Sequence, residues 1–257
     1  MSKKEPLKFI NDFIVKLEEK EWIKRTPAFL HDYEKDYPYF KELEDNYEIV
    51  QKECMALLNY KEELKDVDGF AGEQSKGGIH AIKWKSFMFL SGSFVEENCE
   101  LCPKTARLLK QIPNIKQAFF SILDPQQYIK PHRGYFQGFL RYHLGVIIPN
   151  NNKEKQCWIR INDDPIDNKK YDKNSIEKGE KYYWKNGEGI IFNDNYLHDA
   201  ANYTDDIRVV LFIDVDRKFP KPIEWLFKFL LYLLYKTKPV KAIAEKAKVS
   251  LSNNPNK

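Results

Sequence analysis

From about residue 70 to residue 216 the chain repeats one pattern. Short runs rich in Ile, Val, Phe and Tyr are separated by clusters of Gly, Asn, Asp and Pro. Apolar runs this short, with turn residues between them, read as strands, and many of them in succession imply a sandwich or barrel. The strongest strands fall at 118–123, 142–148, 157–161, 189–192 and 207–215. The stretches 150–155 and 163–181 are polar and breaker-rich and are expected to be loops. The fold class predicted is mainly β with flanking helices, closing into a barrel.

The flanks have a different period. Ile10, Phe13, Ile14 and Leu17 recur at i, i+3, i+4 and i+7, one face of a helix. Pro27 and Pro38 interrupt the next stretch. Phe40, Leu43, Tyr47, Val50, Cys54, Leu57 and Leu58 then trace a longer amphipathic helix. Beyond the strands, Ile223, Leu226, Phe227, Leu230, Leu231 and Leu234 form another apolar face, with Glu224, Lys228 and Lys236 on the other side. Pro239 opens a second, Lys-rich segment containing Ile243, Ala244 and Ala247. Three regions result: a helical region at 1–65 packing on the barrel, a barrel domain at 66–217, and a helical, basic tail at 218–257.

Composition narrows the function classes. Hydrophobic residues make up 42% of the 257, enough for a real core, and the net charge is only +4 with Lys and Glu interspersed. No basic stripe marks a nucleic-acid surface. Four cysteines are too few for a disulfide scaffold, and the Cys99–Cys102 pair lacks the second pair or nearby histidines that zinc needs. The first residues carry no apolar leader, and no window approaches the roughly 20 apolar residues of a spanning helix. The expected location is cytoplasmic. Peripheral membrane contact is expected through the C-terminal helix, whose apolar stretch is followed by Lys236, Lys238, Lys241, Lys246 and Lys248.

There are five histidines: His31, His80, His132, His143 and His198. His132 follows one strand and precedes a glycine turn; His198 lies between the strands ending at Phe192 and beginning near Ile207. Two histidines far apart in sequence, each beside a strand, can converge at one mouth of a barrel, where neutral imidazoles suit Fe(II). A histidine alone is more often packed or exposed than liganding. The added weight comes from Arg208, set in an otherwise apolar strand, where an arginine is costly unless paired. It is either a rim salt bridge or a bidentate clamp on a ligand carboxylate. Arg141 and His143, alternating with Tyr142 and Leu144, point to one face of their strand.

Two blocks carry a resemblance. PHRGYFQGFLRYHLGVIIP at 131–149 and IFNDNYLHDAANYTDDIRVVLFIDVD at 191–216 resemble the aspartyl/asparaginyl β-hydroxylase superfamily, which includes peptidyl aspartyl hydroxylases and lipid A fatty-acyl hydroxylases. Residues 43–50 and Pro103-Lys104-Thr105 are similar to further family segments, so the resemblance spans roughly 43–216. It implies a double-stranded β-helix and an Fe(II)- and 2-oxoglutarate-dependent dioxygenase acting on a protein, peptide or lipid substrate. It implies His132 and His198 as iron ligands, and Arg208 with Ser121 on the distal carboxylate of 2-oxoglutarate. Arg141 and His143 are implied at or close to the cosubstrate.

Two departures bear on substrate. Most such oxygenases carry a carboxylate two residues after the first histidine, where this chain has Gly134. The peptidyl branch resembles this chain there, whereas the wording at 140–145 resembles the lipid branch. The stretch 163–181 reads as an insertion that reshapes the entrance. Two other readings stay open: a non-catalytic binding module on a degenerate barrel, and a halogenase with halide in the vacant ligand position.

Overall fold

The alternating pattern folds into two facing antiparallel sheets. The structure, a computed structural model, describes residues 5–67, 82–134, 136–235 and 248–249. In chain order the elements are α1 (Glu5–Glu19), β1 (Phe29–Leu30), α2 (Phe40–Asp45), α3 (Tyr47–Leu58), β2 (Lys65–Asp66), β3 (Trp84–Ser91), β4 (Ser93–Phe94), α4 (Glu96–Leu101) and α5 (Pro103–Gln111). There follow β5 (Ile115–Leu123), β6 (Gln127–His132), β7 (Phe139–Ile147), β8 (Cys157–Asn162), α6 (Pro165–Lys170), β9 (Glu180–Tyr183), β10 (Gly189–Phe192), β11 (Leu197–Asn202), β12 (Arg208–Asp216) and α7 (Lys221–Tyr235).

From β5 onward the chain winds between the sheets. One sheet runs β10-β7-β12-β5 at its centre, extended by β1 at one edge and by β3 and β2 at the other; the second runs β6-β11-β8-β9. This interleaving is a double-stranded β-helix. Among the described residues no pairing joins the sheets, so the expected barrel is instead a sandwich open at its edges.

Strand periodicity assigns the faces. On β12, Val209, Leu211, Ile213 and Val215 face outward and pack under the helices; on β7, Leu140, Tyr142, Leu144 and Val146 do the same. Phe40, Leu43, Val50, Cys54 and Leu57 of α2 and α3 cover that face, with the Phe40 ring stacked on Tyr142 at 3.9 Å. Glu53 of α3 ties the next helix in. Its carboxylate accepts from the Lys104 and Thr105 N–H groups (3.0 and 2.8 Å) and from the Thr105 hydroxyl (2.7 Å), filling the orphan donors at the start of α5. Between the sheets lies a second core of Leu123, Ile129, Ile159, Ile161, Ile190, Phe192 and Val210.

Two expectations are corrected. The helix read over 40–58 divides at Asn46. The 163–181 stretch is ordered: the Asp164 carboxylate accepts from the Ile166 and Asp167 N–H groups to start α6, and a 3-10 turn follows at Lys173–Lys178. The cysteines of the CxxC pair lie in the helix-side core, where burial pushes the Cys99 thiol up to about 11. The Lys-rich segment after Pro239 lies outside the described residues except for Lys248 and Val249, and the Lys248 ammonium pairs with Glu97 at 2.7 Å.

Candidate functional site

His132 is the last residue of β6 and His198 the second of β11, and the two are direct cross-strand partners. Both therefore stand inside paired strands rather than beside them. The ring centroids are 4.2 Å apart. Each imidazole is oriented the same way. The His132 Nδ1 lies 2.8 Å from the Lys130 carbonyl and the His198 Nδ1 2.9 Å from the Tyr196 carbonyl. A carbonyl only accepts, so Nδ1 is the protonated nitrogen in both rings and Nε2 keeps its lone pair. Burial keeps the rings neutral: it lowers His198 to about 4, and burial with the neighbouring His198 ring lowers His132 well below the usual range.

Behind Asp199, the residue after His198, a buried network pins β11 in place. Its carboxylate accepts from Arg160 Nε and Nη2 (3.1 and 2.7 Å) on β8 and from the Tyr128 hydroxyl (2.7 Å) on β6. One acid thus clamps the strand carrying His198 to its neighbour on either side.

The facing sheet supplies a buried cation. Arg208, at the start of β12, is 2% exposed, and no carboxylate pairs with it among the described residues. Its Nη1 reaches the Ser121 hydroxyl at a long 3.5 Å, its guanidinium lies 4.8 Å from the Trp184 ring centroid, and its Nε has no partner. Ser121 also accepts from Trp84 Nε1 at 2.8 Å. Burial pulls the arginine down to about 10. An interior guanidinium with open donors is a strained arrangement that a bound anion would relieve.

His143 completes this row. Its ring lies 4.8 Å from Phe192 and 5.8 Å from Trp184 by centroid, and Phe192 in turn is 6.4 Å from His198. Both nitrogens of His143 are buried without partners, as is Trp184 Nε1. Orphaned donors on Arg208, His143 and Trp184 line the same interior, which fits an acidic ligand lying between the arginine and the histidine pair.

Arg141 differs from its neighbour. Its guanidinium is gripped by Asp214 (2.9 and 3.2 Å) and by Asp194 (2.9 Å), and it stacks over the Phe212 ring at 4.0 Å. Burial raises both carboxyls while the guanidinium pulls against it. Asp194 also explains Gly134. A Cβ at residue 134 would fall 2.2 Å from Asp194 Oδ2, and the Gly134 N–H donates to the Asp194 carbonyl at 2.7 Å. The space for a side chain two residues after His132 is thus filled by a carboxylate from the facing loop.

The profile of the aspartyl/asparaginyl β-hydroxylase family matches residues 44–218. This chain belongs to that family. An ornithine lipid ester-linked acyl 2-hydroxylase from Rhizobium tropici is 31% identical over 77% of this chain and 63% of its own length. The human aspartyl/asparaginyl β-hydroxylase is 25% identical over 68% of this chain and 20% of its own. The chain therefore spans less than two thirds of these relatives. Among solved structures, a Pseudomonas putida prolyl-4-hydroxylase covers 68% of this chain and 87% of its own with TM-score 0.41 at 12% identity.

The structure brings His132 and His198 together, and Ser121, His143 and Arg208 into one interior, whereas Arg141, expected at or close to the cosubstrate, is engaged by two acids. The sequence reading missed Asp194, Trp84 and Trp184. The two tryptophans stand next to lysine-bearing stretches, and Asp194 lies in a turn-like NDN run, so none carries a local signal. It also missed that the insertion touches the site: the Asn168 side-chain oxygen accepts from the Leu197 N–H at 2.8 Å, and Arg133 lies 4.7 Å over the Tyr171 ring and donates to the Asn168 carbonyl.

Proposed function

We propose that this family member is an Fe(II)- and 2-oxoglutarate-dependent hydroxylase, and that its prime substrate is the acyl chain of a lipid. The observation that carries the first part is the pairing of two neutral imidazoles, each with Nδ1 on a backbone carbonyl, with a buried arginine that lacks an acid. The donor set fits a divalent iron and a dicarboxylate.

Iron, 2-oxoglutarate and oxygen together supply the oxidising chemistry that turns C–H into C–OH. The chain's residues do the placing. His132 and His198 would hold the metal, each ring oriented by its backbone carbonyl. Arg208, supported by Ser121 and Trp184, grips the far carboxylate of the cosubstrate, while His143 lines its path. Phe192 and Phe212 exclude water between these groups. Arg141, held by Asp214, keeps Asp194 in the space beside Gly134. That carboxylate fills the space beside Gly134 and leaves less room for a halide there, which weighs against halogenation.

The lipid reading is supported by the ornithine lipid acyl hydroxylase among the relatives and by the exposed apolar helices described below. Gly134 supports a second reading, hydroxylation of an aspartyl or asparaginyl side chain in a protein or peptide, because the peptidyl branch resembles this chain there. The test is incubation with Fe(II) and 2-oxoglutarate and either lipid vesicles or Asp- and Asn-containing peptides. Succinate and a product heavier by one oxygen are followed by mass spectrometry. Metal-dependent succinate that vanishes in His132→Ala and in His198→Ala is expected. Binding of 2-oxoglutarate without any turnover would instead make the chain a binding module, and an oxidised peptide with unmodified lipid would select the second reading.

A further inference from the structure

Helix α7 is apolar on two sides. Ile223 and Phe227 pack inward against Phe136 and Phe219, as an ordinary amphipathic helix requires. Yet Trp225 and Phe229, one turn apart on the other side, are 77% and 57% exposed, with Leu226 beside them. A solvent-facing helix surface is normally polar. Helix α1 repeats the arrangement. Ile10, Ile14 and Leu17 enter the same apolar cluster, while Phe9 is 70% exposed and Trp22, just past the helix end, is 66% exposed with the Lys20 ammonium 5.3 Å from its ring. Tryptophan beside lysine suits the boundary between acyl chains and headgroups.

These helices touch the segment after His132, and the stretch that follows α1 touches the segment before His198. After His132 the chain runs through Phe136, which packs on Phe227, and Gln137, whose N–H donates to Asn11 Oδ1 at 2.9 Å. The missing Cβ of Gly138 is replaced by the Phe227 ring, 2.4 Å away. Before His198, the Tyr196 hydroxyl donates to the Thr26 carbonyl at 2.8 Å and accepts from Arg25 Nε at 3.0 Å. The exposed aromatic residues thus sit on the layer that holds the lip of the site.

Charge selects the occupant. From Arg217 to the end the chain has ten Lys and Arg residues against two Glu, on a protein whose net charge is +4. Lys218 precedes α7 and Lys228 lies on it; each is more than half exposed and pairs at the surface, with Asp36 at 3.8 Å and Glu224 at 2.5 Å respectively. A segment of this composition is attracted to an anionic lipid surface and not to a second positive copy of itself. No helix among the described residues is long and apolar enough to cross a membrane. We infer that the α1–α7 face docks on an anionic phospholipid bilayer and brings the His132–His198 mouth to lipids in that surface. This rests on the lipid reading above, and its test needs no turnover.

The full chain, without iron or cosubstrate, is sedimented with phosphatidylcholine vesicles and with vesicles containing about 30% phosphatidylglycerol, an anionic content typical of charged membranes. Binding to the anionic vesicles at least about tenfold above the neutral ones is expected, together with a blue shift of tryptophan emission. Two double variants, W225S/F229S and F9S/W22S, should lose most of that binding with an unchanged melting temperature. Equal and negligible binding to both vesicle types would overturn the inference. So would undiminished binding of both variants, or a wild-type dimer that W225S/F229S converts to monomer, since a second copy would then cover the face. Succinate formation on detergent-dispersed lipid, measured separately, tells a failure of docking from a failure of the hydroxylase reading.

Discussion

Arg208 is the residue whose surroundings ask most plainly for a ligand. Its Nε is unpartnered, its bond to Ser121 is long, and the Trp184 ring offers only a face. Replacing it with alanine should remove a charge-assisted hydrogen bond worth about 1.5–3 kcal/mol, raising the 2-oxoglutarate requirement roughly 10- to 150-fold with little change in that for the prime substrate. Arg208→Lys should restore only part of this, because lysine lacks the planar fork; steady-state kinetics with each substrate varied in turn would show it. The histidines make a second prediction through stability. His198 is lowered to about 4 and His132 is lowered too, so between pH 6.5 and 4 the unfolded chain binds protons that the folded one refuses. Stability of the metal-free protein should therefore fall as pH drops through that window, and thermal melts of His198→Asn should show a shallower fall. An identical pH slope in the variant would remove His198 from the account.

At the scale of elements, the position of β11 depends on Asp199. The strand LHDAAN has little intrinsic strand preference, and it is held because Arg160 on β8 and Tyr128 on β6 converge on one buried carboxylate. Asp199→Ala should cost about 1.5–3 kcal/mol in urea unfolding, since it removes the buried acid shared by Arg160 and Tyr128 and leaves the guanidinium only Glu177, whose side chain is largely exposed. A loss below about 1 kcal/mol would mean that β11 is held by its backbone ladder alone. The insertion after β8 belongs to the same scale. Asn168 and Tyr171 reach back to Leu197 and Arg133, so a stretch legible only as polar sequence becomes a wall beside both histidines.

For the whole molecule, the proposed ligands bind only when the two sheets are assembled, because His132 and His198 lie on one sheet and Arg208, Ser121 and His143 on the other. Iron with 2-oxoglutarate at about 100 times its dissociation constant should then add about 2.7 kcal/mol, or roughly 5–10 °C in melting temperature for a chain of this size. Arg208→Ala should lose the cosubstrate part of that shift and keep the part due to metal. Equal melting curves with and without both ligands would count against the proposed site.

The sequence by itself determined the elements whose residues have a strong periodic preference. β5, β7, β10 and β12 are rich in Ile, Val and Phe and were legible to within a few residues, as were the apolar faces of α1 and α3, because side-chain period follows backbone geometry. It also placed Arg141 and His143 on one face of β7, since alternation along a strand is a local rule. The strands that carry the histidines were not legible. β6 contains Lys130 and Pro131 and lies at the edge of its sheet, where a missing N–H is tolerated, and β11 is made of Ala, Asn and Asp. Only pairing between distant segments makes them strands. The tertiary structure alone decided that Arg141 is taken up by Asp194 and Asp214 while Arg208 is left without an acid. Both arginines sit in similar apolar strands, and which one keeps its donors free depends on which carboxylates the neighbouring strand and the β10–β11 loop bring within about 3 Å.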